Sequence, residues 1–386
     1  MNSLISYSAN YDESNAPTHV YMDINIVNND TTGSYPDPDI RFSETRSNVI
    51  LANPSLYYLS VVRFQLETPD LPLFLCPVQT GQPDVNLSIF SVTLSYPVGG
   101  VTYEAQKFVQ FVPENVNEPV PPAPLTKQDM STRYYWVSSY QHFINCINTA
   151  YANAFTALNA LVVGAGGVLP VSTAPFLAIN NDTCMITLYA EKLGYDQALA
   201  TPIKMYGNAA FYKLIGAFDV TWFGNRNIVN GKNFQYLCYD RNGLNGTTIG
   251  ANAYYKMEQS YVTTPLWCPV KSIVFSCAGL PILPEQIATP AIFNSDTTLN
   301  LGANANISLQ MTDFVVGLLR GTEYEPNILY SPTIYRMIDM VGNQPLQSFS
   351  INISWQDAFG NQYPLKLFSG TSCQIKLMFR RKSLGI

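Results

Sequence analysis

Charge is what this sequence has least of. Asp, Glu, Lys and Arg make up 12% of its 386 residues, about half the roughly 25% usual for a soluble domain. So few ionic groups cannot comfortably clothe an isolated globule, and part of the surface is expected to be covered by other subunits. The formal net charge of -6 argues against a general nucleic-acid binder, because that work needs a basic footprint. The one basic cluster is Arg380, Arg381 and Lys382. Histidines number two. His19 falls in a strand pattern and His142 in the first turn of a helix, and no HxxxH, CxxC or HExxH spacing surrounds either. A zinc site or a His-based triad has little to be built from, and no cofactor or metal is expected.

Long apolar runs are missing too. ALNALVVGAGGVLPV is interrupted by three glycines, so no membrane-spanning segment is expected. The opening MNSLISYSANYDESNAP has no basic start followed by an apolar stretch and reads as neither a secretory signal nor a transit peptide. Cys76, Cys146, Cys184, Cys238, Cys268, Cys277 and Cys373 are odd in number and scattered, which fits small hydrophobes in a protein assembled in a reducing compartment. GAGGV at Gly164 to Val168 follows a helix pattern and lacks GK[ST], so it reads as a helix stop and not as a phosphate loop. Asp37 and Asp39 in YPDPD read as a turn, since a calcium loop needs about five oxygen ligands at fixed spacing. The NxS/T matches at Asn29, Asn86, Asn181, Asn245, Asn306 and Asn352 read as chance in an Asn-rich chain. No acid/base pair in a plausible setting emerges, and the chain is not expected to be an enzyme.

What is present is alternation. In SFSINISWQ, Phe349, Ile351, Ile353 and Trp355 are apolar and Ser348, Ser350, Asn352 and Ser354 are polar; Cys373, Ile375, Leu377 and Phe379 repeat the pattern in the last strand. A period of two buries one face of each strand. HVYMDINIV (His19 to Val27) alternates likewise, and the following stretch predicts a short strand near Val49 to Leu51 and a long one from Leu56 to Leu66. From about Pro69 the texture changes. LSIFSVTLSY and YEAQKFVQFV predict a hairpin, PENVNEPVPPAPLTKQD a stiff proline-rich linker, and SSYQHFINCINTAYANAFTALNALVVG a helix with Ser138 and Gln141 as capping box and Gly164 as stop. PFLAINNDTCMITLYAE reads as a second hairpin, NAAFYKLIGAF as a short helix capped by Asn208, and FQYLCYD and YYKMEQSYV as further strands. Strand texture returns in LWCPVKSIVFSC, ISLQMTDFVVGLL and ILYSPTIYRMIDMV.

The organisation this predicts is mainly β: a single jelly-roll β-sandwich contributed by both ends of the chain, with a large mixed α/β insertion domain. The boundaries read as a flexible arm over 1–17, a base over 18–68 plus 264–386, and an insertion over 69–263.

SINISWQDAFGNQYPLKLFSGTSCQIKLMFRRK, NPSLYYLSVVRFQLETPDLPLF, YYWVSSYQHFINCINTAYANAF, PFLAINNDTCMITLYA and NAAFYKLIGAF together resemble the penton (minor capsid) proteins of virophages and polinton-like viruses. The resemblance spans most of the chain from about Val20. It implies a vertical single jelly-roll with an outward insertion, a homopentamer at the icosahedral five-fold vertex, and the major capsid protein of the same virion as partner. It also implies assembly inside the host cell and location in the virion. A host-surface ligand of the insertion, and contact of Arg380, Arg381 and Lys382 with neighbouring subunits or the capsid interior, are further expectations. The alternatives are a double jelly-roll major capsid protein and a lectin-like β-sandwich adhesin. Native mass separates them as pentamer, trimer and monomer.

Overall fold

A computed structural model describes residues 17–30, 38–67, 74–77, 79, 84, 86–112, 134–137, 139–224, 231–283, 291–293, 299–301, 310–315 and 327–382. The arm before Ala16, Asp37, Ser138 and the proline-rich linker lie outside the described residues. Described residues 17–67 and 270–382 form one compact unit, and 74–269 form another.

The two main sheets of the first unit rest on eight strands, numbered in chain order: β1 (His19–Val27), β2 (Arg41–Thr45), β3 (Tyr57–Glu67), β4 (Ser272–Ala278), β5 (Gln310–Val315), β6 (Asn327–Tyr330), β7 (Ser348–Gln356) and β8 (Ser372–Arg381), and a separate two-stranded ladder joins Ala291–Phe293 to Leu299–Leu301. One sheet runs β1-β8-β3-β6 and the other β5-β4-β7-β2, with Ile338–Asp339 added beside β3 and Gln362–Pro364 beside β7. The pairings of these eight strands are antiparallel. Two four-stranded sheets whose chain order interleaves in this way are the jelly-roll arrangement. Only one such roll is present among the described residues, and the second unit is of a different, helix-bearing kind.

The register follows the side-chain pattern. Phe349, Ile351, Ile353 and Trp355 are buried while Ser348 and Asn352 are exposed, and Cys373, Ile375, Leu377 and Phe379 are buried on β8. Slipping either strand by one residue would put its polar set on the core, which is why the pairing is firmly specified. One expected strand needs correction. The strand near Val49 to Leu51 is only an isolated bridge from Leu51 to Leu346. Instead, β2 supplies the missing edge through pairing with β7, from Arg41 opposite Asn352 to Thr45 opposite Ser348.

In the second unit a five-stranded antiparallel sheet runs Val220–Trp222, Phe234–Tyr236, Lys204–Gly207, Leu87–Val98, Val101–Gln110. Its long hairpin turns through Gly99 and Gly100, both at positive φ (58° and 84°), which a two-residue turn of this hand requires and side chains resist. A four-stranded sheet runs Gly246–Ile249, Asn252–Glu258, Ile186–Glu191, Phe176–Ile179. The helix Tyr140–Gly164 packs on both hairpins with Phe143, Ile144, Ile147, Tyr151, Leu158 and Val162 buried. By length and composition it is apolar enough to cross a membrane. Its buried stripe and the exposed Asn153, Thr156 and Asn159 opposite make it the core helix of this unit.

The cap of this helix also differs from expectation. Ser139 is the N-cap, its hydroxyl accepting from the His142 N–H at 3.2 Å, while the Gln141 amide donates to Asn145. The other end closes as a paired-carbonyl stop: Gly166 N–H donates to Val163 O and Gly167 N–H to Val162 O, with Gly166 at φ +77°. Asn208 caps the short helix Ala209–Ile215, its side chain accepting from Phe211 N–H at 3.0 Å. Trp267 belongs to this core, its ring against Phe143 at 5.2 Å and its N–H donating to Leu214 O at 2.9 Å.

Candidate functional site

Groups able to do chemistry are sparse and scattered. Among the described residues no group of three or more His, Cys, Asp or Glu could hold a metal ion. His142 is buried, with Nε2 2.5 Å from Val112 O and Cys146 Sγ 4.0 Å away. His19 stacks on Tyr21 at 6.1 Å on the outer side of β1. Asp39 is ion-paired with Lys366 at 2.7 Å, which pins the loop before β2 to the segment before β8. The thiols of Cys238, Cys277 and Cys373 are buried, and burial pushes them up to about 12, about 11 and about 12. Thiols held protonated in this way are poor nucleophiles.

The basic run is brought to one end of the sandwich. Arg380 on β8 stands opposite His19 on one side and Tyr58 on the other, and Arg381 stands opposite Tyr57. The Arg381 N–H donates to Thr18 O at 2.9 Å, and the Tyr57 hydroxyl donates to Pro17 O at 3.1 Å. Pro17 and Lys382 are therefore neighbours at this end. The three cations do not behave alike. Lys382 is engaged by its own unit while half-buried, with Nζ 2.5 Å from Asp339 and 3.0 Å from Met340 O, and it lies over the Tyr58 ring at 5.2 Å. Arg380 is exposed.

A second surface was not visible in the sequence. The rings of Phe314 on β5 and Tyr330 on β6 stack at 4.7 Å and close one flank of the sandwich. Around them Val315, Leu329 and Ile334 are 75%, 61% and 86% exposed. On the opposite flank, the edge strand β1 exposes Tyr21 and Val27. Val315, Leu329 and Ile334 make the first flank the more apolar one, as in a surface covered by a neighbour, whereas on β1 Asp23 and Asn25 separate Tyr21 from Val27 along the same exposed face.

Comparison with known proteins places the chain in a family. The family described as Sputnik minor capsid protein V18/19 matches residues 20–381. Protein V18 of Sputnik virophage is 37% identical over 164 residues, covering 41% of this chain and 95% of that protein. Structural protein V19 of the same virophage is 29% identical over 212 residues, covering 53% of this chain and 94% of that protein. A chain in the 3.5 Å cryo-EM structure of the Sputnik virophage superposes with a TM-score of 0.72 at 28% identity, over 95% of this chain and 99% of that one. The mavirus penton protein shares the fold, with a TM-score of 0.60 at 14% identity over 95% of this chain.

Proposed function

The chain belongs to the Sputnik minor capsid protein V18/19 family, and is thus a penton or minor capsid protein of a virophage virion and not an enzyme; from this premise we propose that five copies close a ring at the icosahedral five-fold vertex. The observation that carries the reading is the exposed apolar set Val315, Leu329 and Ile334 at one flank of the jelly-roll, facing away from the mixed edge strand β1 at the other. A ring needs a heterologous contact, in which one face of each subunit meets a different face of the next. Val315, Leu329 and Ile334 at the β5/β6 flank supply one face, and Tyr21 and Val27 at the β1 edge supply the other.

In this reading the jelly-roll is the base that meets the major capsid protein of the same virion. The insertion projects outward, where it is available to a host-surface ligand. The end bearing Arg380 and Arg381 faces neighbouring subunits and the capsid interior. Native mass of the purified protein under assembly conditions tests the ring: a pentamer is expected, and Leu329→Asp with Ile334→Asp should leave a folded monomer. A trimer, or a pentamer indifferent to both substitutions, would reject the proposed contact.

A further inference from the structure

The insertion unit carries an aromatic surface that neither its core nor the ring contact uses. Val220–Trp222 is the outermost strand of the five-stranded sheet, with Trp222 opposite Phe234. The indole of Trp222 lies nearly parallel to the buried Phe234 ring, 6.3 Å away at 14°, and is tilted against Tyr212 at 4.9 Å. It is fixed on its protein side and still 46% exposed. The next residue, Phe223, is 49% exposed on the other face of the sheet and leans on Tyr206 at 6.2 Å. Phe223 N–H donates to Asn233 O and Leu237 N–H to Asp219 O. By the alternation of an antiparallel ladder, the backbone groups of Val220 and Trp222 point away from the sheet.

We propose that this edge is a saccharide-binding platform, in which the open face of Trp222 stacks on the C–H face of a neutral sugar ring. The hydroxyl of Tyr212 and the outward backbone groups of the edge strand serve the sugar hydroxyls. Three arguments select a neutral sugar over other occupants. The edge is three residues long, which gives a pairing peptide strand almost nothing to add to. A single exposed indole is ligand-sized, since an aromatic side chain buries at most about 250 Å² and a stable protein interface needs about 800 Å² per partner. Among the described cations near the edge, Lys232 is paired with Glu104 and Arg241 with Asp219, so neither is left to draw an anionic ligand.

The test uses the full-length protein on an array of immobilised neutral and acidic oligosaccharides, followed by titration of the best neutral binder with tryptophan fluorescence as readout. Saturable binding to neutral members is expected, with Trp222→Ala lowering affinity about tenfold or more, equivalent to about 1.4 kcal/mol. Thermal unfolding should be close to that of the parent. If Trp222→Ala does not fold, Trp222→Phe decides: its smaller ring should still fold on Phe234 and weaken binding several-fold. Absence of binding to every member, binding confined to acidic members, or unchanged affinity in the folded Trp222 variant would each overturn the proposal.

Discussion

The ring of Phe64 meets the ring of Phe275 edge-on, with centroids 5.1 Å apart. Phe64 lies on β3, the last strand before the second unit, and Phe275 on β4, the first strand after it. They belong to opposite sheets, so this contact holds the sandwich together across the point where the chain leaves and returns. Both rings are fully buried. Phe64→Ala should destabilise the sandwich by about 3–5 kcal/mol, and a double-mutant cycle with Phe275→Ala should show coupling of about 0.5–1.5 kcal/mol beyond the loss of buried area. Denaturant unfolding followed on the sandwich transition measures both; additive effects would mean that the rings do not act as a pair.

The register of β7 makes adjacent residues unequal. Ile353 is 2% exposed in the core and Asn352 is exposed beside Arg41 of β2. Ile353→Asp buries a carboxylate with no partner and should cost more than about 3 kcal/mol, enough to abolish soluble expression. Asn352→Asp changes an exposed group and should cost less than about 0.5 kcal/mol. Equal soluble yields from the two variants would contradict the observed pairing.

Where burial and side-chain period coincide, the fold can be read from sequence. β7 and β8 alternate because one face is packed, and the helix Tyr140–Gly164 shows its stripe because its sides differ. β2 is invisible by the same logic: in RFSET only Phe42 is a large hydrophobe, and the strand exists because β7 has an edge to pair with. Leu51 shows the converse, a locally strand-like residue that finds a single bridging partner. The basic run was equally plain in sequence, but its division between an engaged Lys382 and an outward Arg380 depends on Asp339 and Met340, which only the fold brings near. Exposure of Leu329, Ile334 or Trp222 is a property of which strand ends at an edge, and no local pattern encodes that.

Buried thiols give the sandwich an alkaline limit. Burial pushes Cys373 up to about 12 and Cys277 to about 11, against about 8.5 in an unfolded chain. Below pH ~8 both states keep the proton and these groups add no pH dependence. From there up to the folded values, only the unfolded chain releases protons, so stability falls as pH rises, by about 1.4 kcal/mol per pH unit per thiol. Melting temperatures measured between pH 9 and 11 should therefore drop, and Cys373→Val should lessen the slope. An unaltered slope in that variant would show that the thiol does not titrate differently on folding.

The end of the sandwich at Pro17 and Lys382 offers the sharpest test of assembly. Residues 1–16 carry no alternating or helical apolar pattern in their sequence, which makes them candidates for contact with a neighbouring subunit. They continue from a point hydrogen-bonded to the last strand, because Thr18 O accepts from Arg381 N–H and Pro17 O from the Tyr57 hydroxyl. Arg380 adds an outward charge at the same end. Deleting residues 1–16 together with Arg380→Ser and Arg381→Ser should leave the isolated subunit folded and lower its incorporation into capsids, read as its ratio to major capsid protein in purified particles. Lys382→Ser is the control, since its ammonium is engaged by Asp339 and Met340 within the subunit. Losing that half-exposed pair should cost under about 1 kcal/mol and leave incorporation near normal. If the arm-and-arginine variant is incorporated as well as the parent, this end has no part in assembly and the flanks alone account for it.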